Sequence, residues 1–99
     1  MIVIAGTVKV APESRVPALE AAKRMQRETR AETGCLAYHF STDLESDTTF
    51  HLFEAWESES ALAAHFESDH MQRFRAELAE LTVESRQIRR YEVTDVGEL

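Results

Sequence analysis

Ninety-nine residues leave room for one hydrophobic core, so residues 1–99 are read as a single domain, and 43% hydrophobic with 29% charged residues excludes a disordered, collagenous or repeat-built chain. Eighteen acidic against eleven basic residues give a net charge of −7, which works against broad contact with nucleic acid or an anionic membrane. The longest clean apolar run, Met1 to Ala5, is too short to cross a bilayer and lacks signal-peptide flanks, and the single Cys35 forms neither an internal disulfide nor a thiolate cage, so the expected location is cytoplasmic.

Ile2 to Val10 is rich in β-branched residues and reads as a buried strand. Ala11, Pro12, Glu13 and Ser14 break it. Ser14 is placed as the cap of a helix whose first turn tolerates Pro17, with Ala18, Ala22, Met25 and Thr29 at helical spacing and Lys23, Arg24, Arg27 and Arg30 mainly toward water. Gly34 supplies the stop. A second strand, Leu36 to Thr42, sets Leu36, Tyr38 and Phe40 on one face and Ala37, His39 and Ser41 on the other. After a turn from Asp43 to Asp47, a third strand, Thr48 to Trp56, sets Phe50, Leu52, Glu54 and Trp56 against His51, Phe53 and Ala55, and the two strands are expected to pair as a hairpin. Ser58 or Ser60 starts a short helix through Phe66, Ser68 starts another through about Leu81, and a last strand runs from Val83 to Val93.

This order predicts an α+β domain, the ferredoxin-like split βαββαβ arrangement with an antiparallel sheet and helices on one side. Apolar residues occur at both parities of the strands, so the second sheet face needs cover. A second copy of the chain is the simplest cover, and a homodimer is expected.

Several side chains carry chemistry in principle. His65 and His70 flank the break between the two helical segments, where a kink would let them converge on a pocket, although either also serves as a helix-end or packing residue. No His-x-x-x-His or Cys-x-x-Cys pair occurs, so no metal is expected. His39 and His51 face each other if the hairpin centres near Glu45, on the face of Ala37 and Phe53, as bases or as interface residues. Trp56 offers a stacking wall or core packing, Tyr38 a hydroxyl for a substrate oxygen or for the interface, and Arg75 a charge for a phenolate or for solvent. Glu54 sits among inward-looking neighbours and is read as structural, with Arg86, Arg89 or Arg90 as its expected partner. Cys35 is read as a small buried hydrophobe, and Gly6 marks a bulge or a close approach, or neither.

Glu32, Gly34, Cys35 and Tyr38, followed by Phe50, Glu54 and Trp56 and then by His65, Ser68, His70 and Phe74, resemble the antibiotic biosynthesis monooxygenase family of small dimeric α+β barrels, which includes quinol monooxygenase-like proteins. The element order extends the resemblance over nearly the whole chain. It implies a dimeric barrel and an enzyme that needs no cofactor: a hydroxy-aromatic loses a proton, its anion passes an electron to dioxygen, and recombination places oxygen on the ring. Together with that inventory it points to His65, Trp56, Tyr38 and His70 as catalytic and to His39, His51, Phe53 and Arg75 as substrate-binding. A haem-degrading branch uses an asparagine, a tryptophan and a histidine where this chain has Gly6 or Thr7, His65 and Arg75, which makes haem chemistry the lesser reading. A non-catalytic aromatic-ligand-binding or assembly protein, and an oxygen-independent isomerase or decarboxylase, are the other readings of the same scaffold.

Overall fold

The computed structural model describes residues 1–99 and holds strands β1 (Ile2–Val10), β2 (Cys35–Thr42), β3 (Thr49–Trp56) and β4 (Val83–Glu92) with helices α1 (Arg15–Thr29), α2 (Glu59–Phe66) and α3 (Asp69–Ala79). The four strands form one antiparallel sheet in the order β2-β3-β1-β4, which is the expected α+β, ferredoxin-like arrangement. No helix is long and apolar enough to cross a membrane.

Side chains alternate across a strand, and the register turns that alternation into rows across the sheet. Glu54 on β3 lies between Tyr38 on β2 and Ile4 on β1, with Arg90 on β4 beyond Ile4. The next row joins Phe40, Leu52, Gly6 and Ile88, and the one after it Thr42, Phe50, Val8 and Arg86. This face meets the helices: Ile2, Ile4, Tyr38, Leu52 and Trp56 pack with Met25 of α1 and Leu62 of α2 in one buried cluster. A second cluster joins Val10, Phe50 and Ala18, with Leu81 against it. The opposite face carries Phe53 and Tyr91, which are 44% and 43% exposed.

Local chemistry sets the boundaries. Gly34 takes a left-handed φ of +85°, which only glycine adopts freely, and so turns the chain from α1 into β2. The Ser58 and Ser68 hydroxyls accept from the Ala61 and Met71 amides at 3.2 Å each, capping α2 and α3. Ser14 does not cap α1; a 3₁₀ turn over Pro12–Ser14 precedes that helix, and the Ser14 hydroxyl accepts from the Thr82 amide at 3.0 Å. The serine therefore ties the start of α1 to the approach to β4.

Strand β2 opens one residue earlier than its alternation suggests. An irregularity between Cys35 and Ala37 puts Cys35 beside the core and leaves Leu36 53% exposed, not on the face of Tyr38 and Phe40. Burial, with Glu32 and Glu54 adding to it, holds the Cys35 thiol above its ordinary pKa, in keeping with a packing role. Gly6 marks a close approach: a Cβ there would lie 2.0 Å from the Gln87 carbonyl oxygen.

Candidate functional site

A cavity of about 510 Å³ opens between the sheet and the helices, and 16 of its 21 lining residues are hydrophobic. Ile4, Tyr38, Phe40 and Leu52 line it from the strands, Phe66 and Phe74 from the helices. Such a volume suits a small polycyclic molecule. The one carboxyl group in the wall belongs to Glu54, which is 5% exposed. Burial pushes the Glu54 carboxyl up to about 7, against the hydrogen bond that Trp56 Nε1 donates to its Oε1 at 2.9 Å. A carboxyl poised there exchanges a proton readily at neutral pH.

The arginines expected beside Glu54 go elsewhere. Arg90 pairs with Glu59 and Glu92, and neither Arg86 nor Arg89 has a carboxylate within ion-pair distance. The Glu54 partner is thus the neutral indole, which leaves its charge uncompensated and accounts for the direction of its shift. Tyr38, next to Glu54 in the row, is 2% exposed, and burial together with the Glu54 charge holds its phenol well above the ordinary range. It stays a neutral hydroxyl and hence a hydrogen-bond donor. Arg75 lies at the edge of the cavity, donates to the Phe66 carbonyl at 3.1 Å and stands 5.9 Å from the centre of the Phe66 ring.

Behind the cavity wall lies a second polar group. His65 is fully buried, with its ring 4.7 Å from the Trp56 ring and 5.7 Å from that of Tyr38. Its Nδ1 lies 2.6 Å from Glu32 Oε2, and His70 Nε2 lies 2.9 Å from the same oxygen. Burial pulls His65 below its ordinary pKa although Glu32 opposes the shift, so a neutral His65 presenting its Nδ1 proton to the carboxylate oxygen satisfies the geometry. His70 Nδ1 in turn faces Glu28 at 3.8 Å. The network fastens the loop after α1 to α2 and α3. Its ligand-type atoms lie within 4.8 Å of one another, so Glu32, His65 and His70 have the donor set of a three-ligand metal site, at separations that are those of hydrogen bonds. The kink between α2 and α3 brings together what sequence spacing alone kept apart.

His39, His51 and Phe53 lie on the other side of the sheet, around a shallow hollow shared with Ala5, Thr7 and Tyr91. The two histidines do not face each other, because His51 pairs with Ser41 and His39 with Phe53. His51 Nε2 lies 2.7 Å from Asp43 Oδ1 and holds that carboxyl below its usual range, while His39 Nδ1 lies 2.7 Å from an Arg30 nitrogen. Of the eight residues singled out from sequence, Tyr38 and Arg75 line the cavity, Trp56, His65 and His70 stand behind its wall, and His39, His51 and Phe53 are across the sheet. Glu54 is the functional candidate missed by sequence reasoning; its signal was an acidic residue at an inward parity between Leu52 and Trp56.

A family model described as antibiotic biosynthesis monooxygenase matches residues 1–77. YcnE of Bacillus subtilis, provisionally named a monooxygenase, is 36% identical over 81 residues, 82% of this chain and 85% of its own. An uncharacterized protein of Synechocystis is 29% identical over 98 residues, 99% of this chain and 67% of its own. A crystal structure from Deinococcus radiodurans, provisionally described as an antibiotic biosynthesis monooxygenase, superposes with a TM-score of 0.91 at 25% identity, over 100% of this chain and 98% of that one. A Mycobacterium tuberculosis structure gives 0.88 at 25% identity, over 98% of each chain.

Proposed function

The chain belongs to the antibiotic biosynthesis monooxygenase family, and from that membership we propose that it is a cofactor-independent monooxygenase oxidising a quinol-like or polycyclic hydroxy-aromatic substrate with dioxygen. The observation that carries the reading is Glu54, the lone carboxyl in an otherwise largely apolar cavity, raised by burial to about 7. Ionised, it accepts the hydroxyl proton of the substrate. The resulting anion passes one electron to dioxygen, and the aryloxyl radical and superoxide recombine with formation of a carbon–oxygen bond. The oxygenated ring carbon gives up its hydrogen as a proton to the distal peroxide oxygen, its C–H electrons form the carbonyl as the O–O bond breaks, and the departing hydroxide leaves as water with the proton Glu54 had taken. Substrate oxidation and dioxygen reduction balance without a further reductant.

Tyr38, kept as a neutral phenol, donates to the developing oxyanion, and Arg75 at the cavity edge adds positive charge. Trp56 holds the Glu54 carboxyl in place through its indole, and the His65–Glu32–His70 network fixes the wall behind Tyr38 and Trp56. These are positioning residues. No histidine lines the cavity, so it offers no imidazole for a haem axial ligand. Exposed Phe53 and Tyr91 on the helix-free sheet face favour a second copy as cover, which would complete a dimeric barrel.

The test is oxygen uptake by purified, metal-checked protein with a panel of reduced quinols and anthrones. Uptake above the spontaneous rate, with an oxygenated product and a fall of about 10²-fold or more in Glu54→Gln, is expected. No uptake across the panel with the fold intact overturns the proposal, and saturable aromatic binding without uptake replaces it with a binding role.

A further inference from the structure

We propose that the substrate carries a second group that is anionic at neutral pH, a carboxylate or sulfonate, held by Arg86 two rows along the cavity wall from Glu54. The inference rests on the cavity being the substrate site. The chain as a whole bears a charge of −7, yet the cavity wall holds Arg75, Arg86, Arg89 and Arg90 against the single carboxyl of Glu54. That local reversal of sign selects for an anion.

The four arginines are not equivalent. Arg90 is engaged by Glu59 and Glu92, and Arg75 by the Phe66 carbonyl and ring. Arg89 lines the cavity too, but from the strand parity of the opposite sheet face, between Ile88 and Arg90 on the cavity face. Arg86 has cavity-facing parity, in the row of Val8 and Phe50, and pairs with no acidic group of the chain. An uncommitted guanidinium beside an apolar wall is suited to binding a planar oxyanion through two parallel hydrogen bonds.

The register also sets a length. Arg90 marks the Glu54 row and Arg86 lies four residues earlier on β4, roughly 13 Å along a strand. Between them the wall is apolar, formed by Phe40, Leu52 and Ile88 with Phe74 above. A polycyclic hydroxy acid suits an apolar wall of that length, and Arg86 discriminates its charge.

Binding of two probes already in the oxidised quinone state tests this: anthraquinone-2-carboxylate and 2-methylanthraquinone, titrated against quenching of the one tryptophan, Trp56. Wild-type protein is expected to bind the carboxylate about tenfold more tightly, as a charge-assisted hydrogen bond warrants. In Arg86→Gln that preference collapses while affinity for the methyl probe stays; Arg86→Lys retains part of it. Arg73→Gln, on the α3 surface beside Glu77, keeps it whole. Circular dichroism confirms that each variant is folded. Equal affinities in the wild type, or a preference surviving in Arg86→Gln, overturns the anchor but leaves the oxygenase reading standing. An Arg86-dependent preference without oxygen uptake across the reduced quinol and anthrone panel supports the anchor and sinks the oxygenase reading. Failure of both probes to bind sinks the anchor.

Discussion

The indole Nε1 of Trp56 donates to Oε1 of Glu54 at 2.9 Å, two residues back on the same face of β3. Because residues two apart on a strand share a face, the contact is built into the strand and does not depend on loop placement. It links a carboxyl in the cavity wall to a ring that packs on His65, so the acid is braced from behind the wall.

Glu54→Gln is expected to stabilise the protein at pH 8 and to change it little at pH 4. The carboxyl is raised from the ordinary 4.5 to about 7, so the folded state holds a proton that the unfolded state has released between those values. The stability contributed by that proton is fully present below about 4.5 and lost as pH rises through about 7, a swing of up to about 3 kcal/mol. Glutamine keeps an oxygen for the indole while removing the charge. Urea unfolding at several pH values measures the difference; a variant less stable than wild type at pH 8 contradicts it.

Trp56→Phe removes the one hydrogen bond that lowers the Glu54 pKa. The Glu54 midpoint then moves above about 7, and the acidic limb of the rate profile, which ionisation of the base Glu54 governs, moves to higher pH with it. Stability falls by about 1 to 3 kcal/mol from the lost bond and altered packing. Carboxyl carbon NMR of labelled protein reads the midpoint directly, and an unmoved value would separate the indole from the tuning of Glu54.

Glu32→Ala should cost about 2 to 4 kcal/mol, because it leaves the ring nitrogens of buried His65 and partly buried His70 without their common acceptor. It also removes the charge that opposes the lowering of His65. A base depressed in the folded state contributes stability above its ordinary pKa and loses it as pH falls toward the depressed value, so the acid limb of the Glu32→Ala stability profile extends to lower pH. Denaturation at pH 7.5 and pH 5 tests both parts, and a loss below about 0.5 kcal/mol would mean that the network does not hold the helices.

Phe53→Glu places a charge in the middle of the helix-free sheet face. Wild-type protein is expected to sediment as a dimer at micromolar concentration and the variant as a folded monomer. A wild-type monomer under those conditions removes the second copy as the cover of that face.

The element order, the hairpin, the Ser68 cap, the start of α2 to within Ser58 or Ser60, and the glycine stop were legible in the sequence because each depends on neighbours a few residues away. What was not legible depended on register and through-space partners. Placing His39 opposite His51 needed the hairpin centre, and the observed pairing of Ser41 with His51 shifts it. The outward Leu36 follows from an irregularity that no alternation rule locates. Ser14 bonds an amide 68 residues away, beyond the reach of any capping rule. Candidate residues were visible by type, but whether the sheet put them in the cavity, behind it or across from it was a matter of parity and kink. Glu54 shows the limit best: its inward parity was plain, whereas an indole partner in place of an arginine emerged only from packing.

Central strand β1 pairs with β4 along nearly its whole length, and the amide of Val93 bonds the carbonyl of Met1. Strand β4 therefore supplies a neighbour to a strand that precedes it by some seventy residues. During synthesis the edge of β1 that will meet β4 waits unpaired while some seventy residues are added, a period set by the ribosome and not by the chain. The unpaired edge of β1 is meanwhile open to strand addition by another chain.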